Sequence, residues 1–203
     1  MNVKSIHAVN PLATLAVVAG LSAWFATAGV AQSVGGQAYG TYVNTPAASL
    51  GQSPLAVLPA VSGTDGDIAF AEADASGVPG TLSTEFLNST TSGALGTAEA
   101  GAQSTATAAA INILNGLITA DGLVANVVSS RTASGAASNA NGSTLDNLVV
   151  AGVPVTSGDA AVDPNTNITL PGVGYVVLNG ECCPHATARL VPISSFGTAT
   201  VTH

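Results

Sequence analysis

The chain has 203 residues, of which 7% are charged, 4% aromatic and 47% hydrophobic, with three Lys or Arg against 11 Asp or Glu for a formal net charge of −8. So few cations cannot neutralise a phosphate backbone or hold an anionic lipid surface, which excludes nucleic-acid binding and attachment by a basic patch. Charge lies far below the roughly one quarter typical of soluble domains, so a surface of Ser, Thr, Asn and Gly is expected, as suits extracellular β-rich proteins and filament subunits.

The first expected element is a leader. Met1–Asn10 is weakly basic through Lys4 and His7, and Leu12–Val30 (LATLAVVAGLSAWFATAGV) carries no charge. Gly29 and Ala31 are spaced for cleavage before Gln32, and Ala26 and Ala28 for an earlier cut. The run approaches the shortest length that spans a bilayer, so an uncleaved anchor competes with this reading. The small residues at its end and the lack of a following basic stop favour removal of residues 1–31 as a signal peptide. No later stretch is long and apolar enough to span, so no membrane span is expected after processing. The processed chain keeps only Arg131 and Arg189 as cations.

Strand and turn signals then alternate. Gln32–Thr45 reads as a first strand, and Leu55–Leu58 as a short one between Pro54 and Pro59. Thr64–Asp67 reads as a turn, Ile68–Ala75 as an alternating strand, and Ser76–Gly80 as a break. Leu82–Leu95 gives short apolar pieces separated by Asn88–Gly93. Ala102–Leu114 (AQSTATAAAINIL) has helix-forming alanines, yet Thr105, Thr107, Ala109, Ile111 and Ile113 fall on one side of a period-two ribbon, so strand is expected. Asn115-Gly116 is a turn, and Leu117–Ser130 reads as one or two strands, with a bend at Asp121-Gly122 in the second case. Thr132–Ser143 is a polar loop, Thr144–Val155 a hairpin about Ala151-Gly152, and Gly158–Asn167 a loop. Ile168–Leu170 and Gly174–Leu178 flank a Pro171-Gly172 turn as a second hairpin.

Turn signals about every 8–12 residues point to an all-β chain, an antiparallel β-sandwich of jelly-roll type. A β-solenoid is the alternative, disfavoured by the lack of an internal repeat. The organisation expected is a signal peptide over 1–31, a β-rich extracellular domain over 32–179, and a divergent C-terminal tail over 180–203.

Three stretches carry a family resemblance: Leu114–Ser130 (LNGLITADGLVANVVSS), Gly142–Val155 (GSTLDNLVVAGVPV) and Pro164–Asn179 (PNTNITLPGVGYVVLN). Together they resemble the secreted bacterial proteins called choice-of-anchor P, with LITAD and ITLPGVGYVVLN the most specific parts. The resemblance implies an exported protein held at a surface by a C-terminal anchor, with no established catalysis. This chain has Ala151-Gly152 where the family usually has Asn-Gly, and the resemblance stops after Asn179. The tail beyond it, with Cys182, Cys183, His185, Arg189 and His203, reads either as a divergent terminus or as a shifted frame or truncation that also removes the anchor.

No set of residues suggests chemistry strongly enough to assign a catalytic, cofactor or metal site. Cys182-Cys183 with His185 lacks the second half of a metal site, and adjacent cysteines bridge each other only with strain. Asp65, Asp67 and Asp74 form the densest acid group, but fall short of a calcium ligand set, so a solvated turn is expected. A serine triad has only His185 and His203 to draw on, and no G-x-S-x-G elbow is present. Glu72, Glu85 and Glu99 leave a carboxylate pair open by count, but Trp24 leaves with the leader and no Trp platform remains. Asn88, Asn141 and Asn167 head sequons that matter only in a host that glycosylates exported proteins.

The expected function is an exported, non-enzymatic structural or adhesive protein of a cell surface or matrix, self-associating through strand edges or joining other surface components, with no cofactor. The alternative is a carbohydrate- or protein-binding extracellular module that uses a loop such as Thr132–Ser143.

Overall fold

Small apolar and hydroxyl residues alternate with polar ones through most of the chain, and that period fits a pleated ribbon with one dry face. The computed structural model describes residues 20–23, 34–46, 48–61, 65–96, 99–132, 135–180 and 191–193, and these contain strands and turns with no helix. The longer strands are β2 (Val34–Asn44), β3 (Ser49–Val61), β4 (Asp65–Val78), β5 (Leu82–Leu95), β6 (Ala100–Ile113) and β7 (Ile118–Thr132). The shorter ones are β1 (Gly20–Ala23), β8 (Gly135–Asn139), β9 (Thr144–Asp146), β10 (Val149–Val150), β11 (Val153–Pro154), β12 (Asp159–Ala160), β13 (Thr166–Leu170), β14 (Gly174–Leu178) and β15 (Val191–Ile193).

The larger sheet runs β11-β10-β7-β6-β5-β4, with β8 and β9 also on β7 and β12 on β9. β1-β2-β3 and β13-β14-β15 form two further sheets, and every pairing is antiparallel. β3 lies over β4 and β5, β2 over β5 and β6, and β1 over β6 and β7. The architecture is a β-sandwich, not closed into a barrel. Consecutive hairpins build it, and antiparallel neighbours leave no room for the parallel coils of a β-helix.

The core between the layers is assembled from small residues. Leu87, Ala106, Ile113, Ile118, Leu148 and Leu178 belong to one buried cluster that also takes in Ala38 and Val43 of β2. With few large side chains the layers come close together. A Cβ on Gly36 would overlap Thr91 Oγ1, and one on Gly93 would overlap the side chain of Val34. Hydroxyls are buried here too, each with a partner. Ser89 Oγ donates to Pro54 O across the layers (3.0 Å), and Thr91 and Ser104 share a 2.8 Å bond between strands.

Several elements depart from the sequence reading, each for a physical reason. β3 has 13 residues and runs through Pro54, which an edge strand tolerates because the missing N–H costs no ladder bond. Asp65, Gly66 and Asp67 belong to β4 instead of a turn, while residues 62–64 lie outside the described residues. β5 is one strand of 14 residues, because Ser89, Thr91 and Gly93 face inward and are satisfied or accommodated there. β6 changes face. Ala110 has φ 48° and sits at a register shift, so Thr105 and Thr107 stand half-buried on the outer face while Ile111 and Ile113 turn into the core. Of the one or two strands expected over Leu117–Ser130, the single strand forms: β7 runs through Asp121-Gly122 with 15 residues. Part of the expected loop Thr132–Ser143 pairs with β7 as β8. The Asn115-Gly116 turn and the hairpins about Ala151-Gly152 and Pro171-Gly172 form as expected.

β1 falls inside residues 1–31 and pairs Gly20–Ala23 with Gly36–Tyr39 of β2. β15 falls in the tail and pairs with β14. Cys182, Cys183, His185, Arg189 and His203 lie outside the described residues. Among the described residues no helix is long and apolar enough to cross a membrane.

Candidate functional site

β4 ends the larger sheet. It pairs with β5 on one side, and among the described residues no strand pairs with its other side. In an antiparallel ladder alternate residues point their N–H and C=O groups to opposite sides, so about half of this strand's backbone groups face outward, where no described strand pairs with them. The side chains sharpen the feature. Ala69, Ala71 and Ala73 pack against the core, which turns Ile68, Phe70, Glu72 and Asp74 to the outer face. Ile68 is 69% exposed and Phe70 56% exposed, unusual for large apolar groups at a sheet edge. β3 borders the same margin in the other layer and exposes Leu55 and Val57.

Phe86 of β5 adds a third exposed large side chain on the larger sheet near this margin, at 70%. It takes φ 50° at a register shift between β5 and β6, between the cross-strand pairs Ala73–Leu87 and Ala75–Glu85. A bulge of this kind re-aims a side chain, here into solvent.

The opposite margin is built differently. β9 to β12 contain two or three residues each, and their backbone groups are closed locally. Thr156 Oγ1 accepts from Leu148 N (2.8 Å) and donates to Leu145 O (3.1 Å). Asn147 Nδ2 donates to Asp121 Oδ2 and Asn147 Oδ1 accepts from Gly158 N, both at 2.8 Å.

Between the margins, the outer face of β5 to β7 presents Asn88, Thr90, Gln103, Thr105, Thr107 and Asn126, none of them charged. Asn126 Oδ1 accepts from Gln103 Nε2 and Thr105 Oγ1, both at 3.0 Å, so this face is cross-linked by its own amides and hydroxyls. At the ends of β5 to β7 lies an open trough of about 350 Å³ lined by Leu95, Gly96, Glu99, Arg131 and Thr132 among others. Its lining includes one guanidinium, Arg131, and one carboxylate, Glu99, and Arg131 is the cross-strand neighbour of Ala136 of β8.

The acids singled out by sequence do not converge. Asp67 and Asp74 stand seven residues apart on β4, about 23 Å at strand rise, and an odd separation sends them to opposite faces. Among the described residues no group of three His, Cys, Asp or Glu is arranged to hold a metal ion. Glu72 and Glu85 lie on neighbouring strands three residues out of register, since Glu72 faces Asn88, while Glu99 sits with the trough at another end. Asn141 and Asn167 are exposed, whereas Asn88 is half-buried within β5. Sequence reasoning found β4 but not its edge position, because that depends on which strands fail to pair with it. Phe86 gave no local signal, since its exposure follows from a register shift against β6.

No protein-family model matches the chain, and no curated protein or solved structure is significantly similar to it.

Proposed function

We propose that the protein is an exported, non-enzymatic structural or adhesive component of a cell surface or matrix, of the choice-of-anchor P kind, that associates through its strand edges. The observation that carries this reading is the bare β4 margin, with Ile68 and Phe70 exposed on a strand whose outer edge is unpaired among the described residues. Open edges of this kind accept further strands, and β4 has neither the proline nor the short length that blunts many natural edges, its acids and the bulge at its start being its own safeguards. The uncharged patch of Asn88, Thr90, Gln103, Thr105, Thr107 and Asn126 on the outer face lowers repulsion between neighbouring molecules there. Processing before Gln32 would remove β1 and add Gly36–Tyr39 of β2 to the open edges. Fractionation of cells that make the chain tests the reading: a product beginning near Gln32 is expected in the surface or extracellular fraction. Intact chain beginning at Met1 and dissolved in the cytosol overturns it.

The Arg131 trough favours a second reading, a binding module whose ligand is a carbohydrate or protein carrying a carboxylate. Glycan-array binding that Arg131→Ala abolishes would select this reading.

A further inference from the structure

We infer that β4 is a homotypic docking edge, at which two copies join their larger sheets by antiparallel pairing of β4 with β4 about a two-fold axis at Ala69. The inference rests on the assembly reading and deepens it by naming the partner as a second copy of this chain. An axis perpendicular to the sheet keeps outer face beside outer face and sets one residue opposite its own copy. The centre of pairing therefore decides every contact.

With Ala69 at the centre, Ile68 of each copy lies opposite Phe70 of the other. Asp67 then faces the uncharged Ala71, while Glu72 and Asp74 fall outside the regular stretch, so no acid lies directly across from another. Five residues of each copy, Asp67 to Ala71, enter the ladder before the register shift at Asp65–Asp67 bends the strand, about the length of a typical strand. Neighbouring centres are worse. Centring on Phe70 puts Ile68 against Glu72, and centring on Ala71 puts Phe70 against Glu72 and Ile68 against Asp74. Centring on Glu72 or Ala73 sets acid against acid, a destabilising arrangement directly across a ladder. Centring on Ile68 leaves Phe70 facing Gly66. Only the Ala69 register gives both exposed apolar side chains an apolar partner while separating the acids. The pairing is isologous and closes as a dimer, so growth into a fibre requires another edge.

Sedimentation of the exported form over a concentration series tests the proposal, together with two variants at exposed positions. A reversible dimer is expected. Phe70→Lys should weaken it at least tenfold with the thermal unfolding curve retained, while Phe86→Lys, outside the paired stretch, should leave it intact. In a background of Cys182→Ser and Cys183→Ser, Ala69→Cys should cross-link to its own copy on mild oxidation. Ala73→Cys should not, because in this register the two copies of residue 73 stand about 26 Å apart along the strands. A chain that stays monomeric, a dimer indifferent to Phe70→Lys, or equal cross-linking at both positions overturns the pairing. A monomer found in the surface fraction would overturn only this inference, whereas a chain confined to the cytosol would overturn the functional reading beneath it.

Discussion

The two margins of the larger sheet solve the same problem in opposite ways. On the β7 side the sheet breaks into β8 to β12, pieces of two to five residues. Thr156 and Asn147 satisfy the backbone groups that those short strands leave over. On the β4 side a single strand of 14 residues ends the sheet, and neither proline within it nor a further described strand interrupts its outer edge. Short strands and side-chain closure are the usual means of blunting an edge. This chain uses them on one margin and not on the other, so the bare β4 edge is a property of that margin, not of the whole fold.

The difference breaks most sharply at Leu148. Although it lies among the turns of the closed margin, its side chain is 1% exposed and belongs to the common core. Leu148→Ala should cost about 2–5 kcal/mol, the range for a deleted core side chain. Denaturant unfolding measures it, and a loss below 1 kcal/mol would mean that the short strands rest on the surface. Gly93→Val acts under the other margin. It forces atoms against Val34 and Leu58, where β2 and β3 cover β5. Overpacking of this kind costs about 1–3 kcal/mol. Amide exchange should rise more in β2 to β5 than in β9 to β12, and the reverse pattern would contradict the packing described. Thr156→Val keeps the shape but deprives Leu148 N of its acceptor. The expected cost is about 1–2 kcal/mol, seen in the unfolding midpoint with faster exchange at Leu148.

Much of this architecture is legible in the sequence, and the failures have one cause. Local signals placed β2, the Asn115-Gly116 turn and the β13–β14 hairpin, because alternation and turn chemistry are carried by neighbouring residues. The sequence of β5 suggests a break at Asn88–Gly93 because Ser89 and Thr91 look like loop residues. Their burial depends on Pro54 and Ser104, 35 and 13 residues away in sequence. A period-two count puts Ile111 and Ile113 on the face of Thr105 because it cannot register a bulge at Ala110. The candidate site was hidden for the same reason. Ile68 and Phe70 fit an alternating strand wherever it lies in the sheet, and only the list of pairing partners makes that strand an edge.

The smallest effect distinguishes the margins by charge. The described acids of β4 are Asp65, Asp67, Glu72 and Asp74, and the strand carries no cation. Two copies meeting there repel at long range, even in a register that separates the acids locally. Raising ionic strength from about 0.01 M to 0.1 M shortens the screening length from about 30 Å to 10 Å. The β4 association should therefore strengthen a few-fold with salt. Binding at the Arg131 trough should weaken under the same change, since attraction between a guanidinium and an anionic ligand is screened. Folding stability should move by less than about 0.5 kcal/mol, as exposed charges contribute little to it. Titrating salt against both association and unfolding in one sample thus separates contact between like-charged edges from capture of an anion: association that falls as salt rises would assign the contact to Arg131 instead of β4.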